Sequence, residues 1–377
     1  MIYTDYLIIG LSAAGLHAAQ TLRRLNPNAS IGAIDAQQIV YNKCLFTSYN
    51  SDIKKLEDIQ LRKNEWFAEQ RIDRYTTHII YIDSQNNVVG DAHNNQFHYS
   101  KLLLALGTKP KTSYGTNDSF LHYHSIQDAQ KLNNLIKTQQ LNHVVIIGGG
   151  LNGIELAHLL YKKNVQVTLL EQKSHLISPA LSQQAQLWLF AYYASRINIQ
   201  VNSQVTDIIV NNGTYFIQTN NNSYTADLVI DCRGVEPNTQ WLRNAIECDE
   251  KNYIIIDALQ RSSIANIYAA GDCSKFKNTQ ECSKLWTDAA LQGIHAAYSM
   301  VGISHQTPII THGGDTKFPD FPVYWRGSFS PEFETIVEKN DTSYREFWRD
   351  KQQKLRGFIL IGTLKDAGEL TQQFLRD

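Results

Sequence analysis

Two stretches of this chain, YLIIGLSAAGLHAAQTL (residues 6–22) and VVIIGGGLNGIELAHLL (144–160), follow one plan. Each opens with a short β-branched apolar run, turns through small residues, and continues with apolar residues at helical spacing. Each then reaches a second apolar run that ends in an acid: IGAIDA carries Asp35 and VQVTLLEQ carries Glu171. A strand, a helix and a second strand, written twice, constrain the chain strongly. The crossover helix makes its two strands parallel, and parallel sheets need cover on both faces. The interval between the repeats holds the strand-like runs HIIYID (78–83) and KLLLALG (101–107) and amounts to about one domain of chain. The expectation is an α/β protein with two Rossmann-like, nucleotide-binding domains. Two further apolar runs, ADLVIDCRG (226–234) and ANIYAAGDC (265–273), read as short buried strands. After Gly302 the pattern changes to prolines (Pro308, Pro319, Pro322), aromatics and alternating strands such as RGFILIGTL (356–364), which indicates a small α+β C-terminal domain.

The turns of the repeats suggest what they bind. A diphosphate needs closely approaching backbone N–H groups and the positive end of a helix, and a residue without Cβ permits both. Gly148, Gly150 and Gly153 form GxGxxG directly after a strand and at the start of a helix. Glu171 lies about twenty residues beyond, placed to accept from a ribose 2′-hydroxyl. That carboxylate would repel a 2′-phosphate, and no arginine follows within the next few residues, so the pattern favours NADH over NADPH. In the first loop Gly10 and Gly15 flank Ser12 at the middle position, and Asp35 falls about twenty residues past Gly15.

Composition narrows the class. The chain has 377 residues, 43% of them hydrophobic, and Lys+Arg 35 against Asp+Glu 36 leaves a net charge of -1. Such a chain folds with ample core and offers no bulk attraction to nucleic acid or to an anionic membrane. Cys44, Cys232, Cys248, Cys273 and Cys282 are scattered, with neither CxxC pairs nor metal-ligand spacing, as in a reducing compartment. Asn152, Glu155 and His158 interrupt the best candidate for a membrane span, and the opening residues lack the basic region of a signal peptide. A cytoplasmic protein with no metal site is expected. His122 and His124 flank a tyrosine, but no third ligand at suitable spacing accompanies them.

The order of these pieces resembles the FAD-dependent pyridine nucleotide-disulfide oxidoreductase superfamily over nearly the whole chain. YSKLLLALGTKP (99–110) is similar to the stretch that leads into that family's inserted NAD(P)H-binding unit, and ADLVIDCRGVEPNT (226–239) to the stretch that leads back. ANIYAAGDCSKF (265–276) resembles its late FAD motif, in which Asp272 would accept from a ribityl hydroxyl. Arg233 and Leu106 depart from the residues usual at their positions. Within the superfamily, VYNKCLFTS (40–48) and TKFPDFPVYWRG (316–327) are most like the NADH:rubredoxin and flavorubredoxin reductases. The resemblance implies a discontinuous FAD-binding domain (1–112 and 226–305), an inserted NADH-binding domain (113–225) and a C-terminal α+β domain (306–377). It implies cofactor contacts from Gly10, Ser12, Ala14, Gly15, Asp35, Lys43, Ala105, Gly107, Gly234, Gly271, Asp272 and Trp286. Gly148, Gly150, Asn152, Gly153, Glu155 and Glu171 complete that set.

The activity implied is a relay in which NADH reduces FAD and FAD passes electrons singly to a small carrier protein such as rubredoxin or flavorubredoxin. Lys43 would lie under the flavin and stabilise its anionic reduced form, and Glu155 would lie at the nicotinamide end of the site. Cys44 supports an alternative. It stands where single-cysteine relatives, the coenzyme A disulfide reductases and NADH oxidases or peroxidases, carry a redox cysteine, and a thiolate beside Lys43 would be activated. As a small hydrophobe it would have no such role. A non-catalytic flavin-binding sensor is a third reading.

Overall fold

The computed structural model describes residues 2–111, 120–138, 140–177, 181–242, 245–277, 284–303, 313–316 and 321–377. Cys282, Pro308 and Pro319, and residues 317–320 of the TKFPDFPVYWRG stretch, lie outside them. Helices are α1 (Ala13–Leu25), α2 (Phe46–Asn50), α3 (Asn64–Glu69), α4 (Ile126–Lys137), α5 (Leu151–Lys162), α6 (Gln183–Ala194), α7 (Trp286–Val301) and α8 (Ala367–Arg376). The chain forms two compact units, each assembled from separated segments. The first comprises Met1–Asn42, Ile59–Lys109 and Val235–Thr311; the second comprises Lys43–Asp58, Pro110–Gly234 and His312–Asp377.

The first unit is built on a sheet whose parallel strands run in the order Ile72–Thr76, Ile31–Asp35, Ile2–Ile9, Gln96–Leu104 and Ile267–Ala269. Strands Val88–Asp91 and Ile79–Asp83 extend it as antiparallel hairpin partners. Side chains in the second half of the first strand, Tyr6 to Ile9, alternate between two clusters. Tyr6 and Ile8 join a cluster with α1 and α7, while Leu7 and Ile9 join one with Ile254, Ile256 and Phe276. Burial of both faces accounts for the unbroken apolar run at Tyr6–Ile9.

The second unit has a four-stranded parallel sheet in the order Asn198–Gln200, Gln166–Leu170, His143–Ile147, Leu228–Asp231. An antiparallel sheet of Val205–Asn211, Thr214–Thr219 and Ser223–Ala226 packs on it through Val145, Ile147, Tyr215 and Ile217. Its tight hairpin passes through Asn212 and Gly213, both at positive φ as a type I′ turn needs. The C-terminal residues add an antiparallel sheet, Gly313–Asp315, Val323–Gly327, Leu355–Ile361, Tyr344–Arg349, Glu334–Lys339, with α8 against it. Several contacts join this sheet to α6. Phe321 stacks on Tyr192 with ring centroids 3.9 Å apart, and buried Glu346 accepts from Ser182 (2.5 Å), Tyr344 (2.5 Å) and the Trp348 indole (2.7 Å). A buried carboxylate is tolerated where donors surround it in this way.

Candidate functional site

The two glycine loops are built alike, bond for bond. Gly10 N–H donates to the Ile34 carbonyl at 2.8 Å, and Gly148 N–H to that of Leu170 at 2.7 Å. The next residue donates to the acid: Leu11 N–H to Asp35 Oδ2 at 2.8 Å, Gly149 N–H to Glu171 Oε2 at 2.6 Å. The other carboxylate oxygen accepts from the residue two further on, Gln37 or Lys173, each at 2.8 Å. Each acid therefore braces its own loop and retains lone pairs for a hydroxyl.

Within the second loop the three glycines have three reasons to be there. Gly148 has φ +106°, which excludes an ordinary side chain, and a Cβ on Gly153 would lie 1.9 Å from the Gly148 carbonyl oxygen. A Cβ on Gly150 would meet nothing within 4 Å. The first makes the turn, the last lets the helix approach the strand, and the middle one leaves an open face to an incoming diphosphate. The first loop repeats the outer two: Gly10 has φ +95°, and a Cβ on Gly15 would sit 1.8 Å from the Gly10 carbonyl oxygen. Ser12 holds the middle position as N-cap residue of α1, and its hydroxyl makes no capping bond to the helix. Neither α1 nor α5 has an acid in its first turn or a side-chain cap, so their leading N–H groups and dipoles suit an external anion. Both loops fit a dinucleotide diphosphate.

Other expected residues gather at the same edges. Gly10, Asp35, Ala105 and Gly271 all lie just beyond, or at, the carboxyl ends of the parallel strands of the first sheet, where open α/β sheets take their ligands. Ala105 N–H donates to the Ile9 carbonyl at 2.8 Å, and Gly271 N–H to Gln292 Oε1 at 2.7 Å. Ala14 is pinned at the crossing of α1 and α7: a Cβ on Gly293 would stand 2.0 Å from its carbonyl oxygen. Gly107 is at φ +61°, half-buried Asp272 follows Gly271 in its turn, and half-buried Trp286 opens α7 against the core. Gly148, Glu171 and Gly234 occupy the corresponding edge of the second sheet, with exposed Asn152 and half-buried Glu155 on the first turns of α5.

Lys43 and Cys44 belong to the second unit, in a single 3-10 turn, Lys43–Leu45, that runs into α2. The Lys43 Nζ lies 3.4 Å from both ring nitrogens of His124. Burial first, and Lys43 second, hold that imidazole down to about 4. Asn50, fully buried at the end of α2, accepts from the Tyr123 hydroxyl at 2.6 Å and donates to the Ala129 carbonyl at 2.8 Å. Asn133 donates to the Tyr49 hydroxyl at 3.1 Å, and Asp52 takes Lys163 at 2.7 Å and Lys137 at 3.6 Å. Burial, with the charge of Glu155 next, raises the Tyr123 phenol well above its usual range, which keeps it a donor. The sequence singles out Lys43 and Glu155, and marks His124 only as half of a histidine pair without a third ligand; the contacts of Tyr123 with Asn50 and of His124 with Lys43 were not legible, because side chains that meet across 73 to 81 positions leave no local signal. Burial pushes the Cys232 thiol up strongly and Cys273 to about 12, so neither is a ready nucleophile. Among the described residues no group of side chains is arranged to hold a metal ion.

The family model for pyridine nucleotide-disulphide oxidoreductases matches residues 4–293. An NADH oxidase of Methanocaldococcus jannaschii is 26% identical over 351 residues, covering 88% of this chain and 78% of that protein. A nitric oxide reductase FlRd-NAD(+) reductase of Vibrio vulnificus is 26% identical over 373 residues, 94% of both. A rubredoxin-NAD(+) reductase of Pseudomonas putida is 25% identical over 388 residues, 97% of both. A ferredoxin reductase from Rhodopseudomonas palustris shares the fold, with a TM-score of 0.87 at 19% identity over 97% of this chain and 93% of that one.

Proposed function

Because the chain belongs to the pyridine nucleotide-disulphide oxidoreductase family, we propose that it draws electrons from NADH and delivers them to a small redox carrier protein of the rubredoxin or flavorubredoxin kind. It is an NADH-dependent oxidoreductase with FAD and NADH as its cofactors. FAD, when bound, supplies acceptance of a hydride and release of electrons one at a time, which a one-electron iron centre requires.

The chain's own residues supply binding and charge. The first loop, Gly10 to Gly15 with Asp35, would hold the flavin nucleotide, with Asp272 at the ribityl chain and Trp286 beside it. The second loop, Gly148 to Gly153, would hold NADH, with Glu171 accepting from the 2′-hydroxyl and setting preference against a 2′-phosphate. Lys43 would present its ammonium to the flavin, where positive charge stabilises the reduced anion. Glu155 would lie at the nicotinamide end. The observation that carries the reading is the duplicated loop, each copy with a carboxylate hydrogen-bonded to the amide after its first glycine.

A second reading is favoured by the NADH oxidase among the relatives and by the half-buried, not fully buried, position of Cys44. In it Cys44 is the redox group of a disulfide, oxygen or peroxide reductase. One experiment separates the two. The purified yellow protein and its Cys44→Ser variant are titrated with NADH and then offered rubredoxin, flavorubredoxin, coenzyme A disulfide, oxygen and peroxide. Carrier reduction at unchanged rate in the variant is the expected result. Loss of turnover with every acceptor, while NADH still bleaches the flavin, would reverse the order of the readings. Absence of bleaching in the unmodified protein would overturn both and leave a flavin-binding sensor.

A further inference from the structure

The segment bearing Lys43 and Cys44 is gripped at both ends by one short stretch of chain. Tyr123 has φ +49°, a left-handed backbone that a bulky side chain adopts only where its surroundings hold it. Its ring meets Phe46 edge-on, with centroids 6.2 Å apart, and its hydroxyl donates to Asn50 Oδ1 at 2.6 Å. Asn50 is fully buried, so a lost partner there could not be replaced by water. The adjoining His124 receives the Lys43 ammonium at 3.4 Å, and its own N–H is tied to Asp128 at 3.0 Å. Asp128 in turn closes the capping box of α4 with Ser125, which makes this stretch a rigid support.

We infer that Tyr123 and His124 are positioning residues, fixing the Lys43–Asn50 segment through the Tyr123–Asn50 hydrogen bond at one end and the His124–Lys43 contact at the other. The Lys43 ammonium and Cys44 thiol are thereby placed by the unit that carries the NADH loop, although in sequence they follow the first strands of the flavin unit. The inference rests on the proposed role of Lys43 toward the flavin. A side chain displaced by a fraction of an ångström at the reacting centre slows a step without weakening ground-state binding, which is how positioning differs from general support.

The test is stopped-flow reduction of the full-length flavoprotein at saturating NADH, for Tyr123→Phe, His124→Gln and Lys43→Ala and for each of the first two combined with the third. Tyr123→Phe keeps the ring against Phe46 and removes only the donor. We expect either single variant to lower the limiting rate of reduction about tenfold, with the NADH dissociation constant within about twofold of the parent. In the Lys43→Ala background neither should lower it further, since both act through Lys43. Parental rates in both singles, or fully additive losses in the doubles, would overturn the inference while a slow Lys43→Ala left the role of Lys43 standing. A parental rate in Lys43→Ala itself would remove that role and the inference with it. Should Tyr123→Phe not fold, His124→Gln, at a half-buried position outside the core, decides alone.

Discussion

Gly150 and Gly153 stand three residues apart and differ in what a methyl group would meet: open space at one, a backbone oxygen 1.9 Å away at the other. Gly150→Ala should therefore fold with a thermal midpoint close to the parent, its cost confined to within about 0.5 kcal/mol, yet raise KM for NADH at least tenfold. Gly153→Ala should lose stability outright, because α5 must retreat from its strand. Melting curves and NADH titration of the two variants check the contrast, and equal melting with equal binding in both would sink it. Residues of this kind were legible in the sequence because the turn, the close approach and the open face each demand a missing Cβ. Asp35 and Glu171 were legible as acids at a distance, but their bonds to Leu11 and Gly149 were not: a spacing tells where a carboxylate falls and is silent on which amide it braces. Tyr123 and Asn50 were beyond reach, since an asparagine on a five-residue helix reads as surface until the fold buries it.

At the scale of elements, the periodicity of the two repeats sufficed for α1, α5 and the strands beside them. In the run at 226–234 the consecutive Leu228, Val229 and Ile230 are all buried because both faces of the strand are covered, and that uniformity conceals which sheet it joins; it pairs with His143–Ile147 in the second. Likewise α2, five residues long, has too few turns to show which face is buried. The crossing of α1 and α7 offers a prediction. Ala14 and Gly293 touch so closely that Gly293→Ala must separate the helices, a strain of about 1–3 kcal/mol in overpacked sites of this kind. In the proposed site α1 would present its first turn to the flavin diphosphate, so the variant should purify with less FAD, read as the ratio of absorbance at the flavin maximum to that of protein. NADH should still quench its intrinsic fluorescence, because α5 is untouched. Full flavin content would show that the helices tolerate the methyl group.

For the molecule as a whole, net charge is near zero and, among the described residues, no helix is long and apolar enough to cross a membrane; its internal polar ties include the contact of His124 with Lys43. One tie gives global stability a pH dependence. The unfolded chain protonates His124 near its ordinary value of 6.5, while the folded protein resists until about 4. Between those values the unfolded state binds more protons, so the stability is complete above pH 6.5 and declines as pH falls toward 4. Urea midpoints measured across that window should slope downward toward acid, and His124→Gln should flatten part of the slope; an unchanged slope would place the imidazole outside the fold's proton balance. The interleaving of the two units carries a consequence for biogenesis. Strand Ile267–Ala269 and helix α7, which complete the first unit, leave the ribosome more than two hundred residues after Gly10 and Asp35, a delay of about ten seconds or more at ordinary rates of translation. Until they emerge, the first strands lack the strand and helix that complete their cover, so under the proposed assignment of flavin to this unit its stable loading would await the last stage of synthesis, when a chaperone's protection of those strands would matter most.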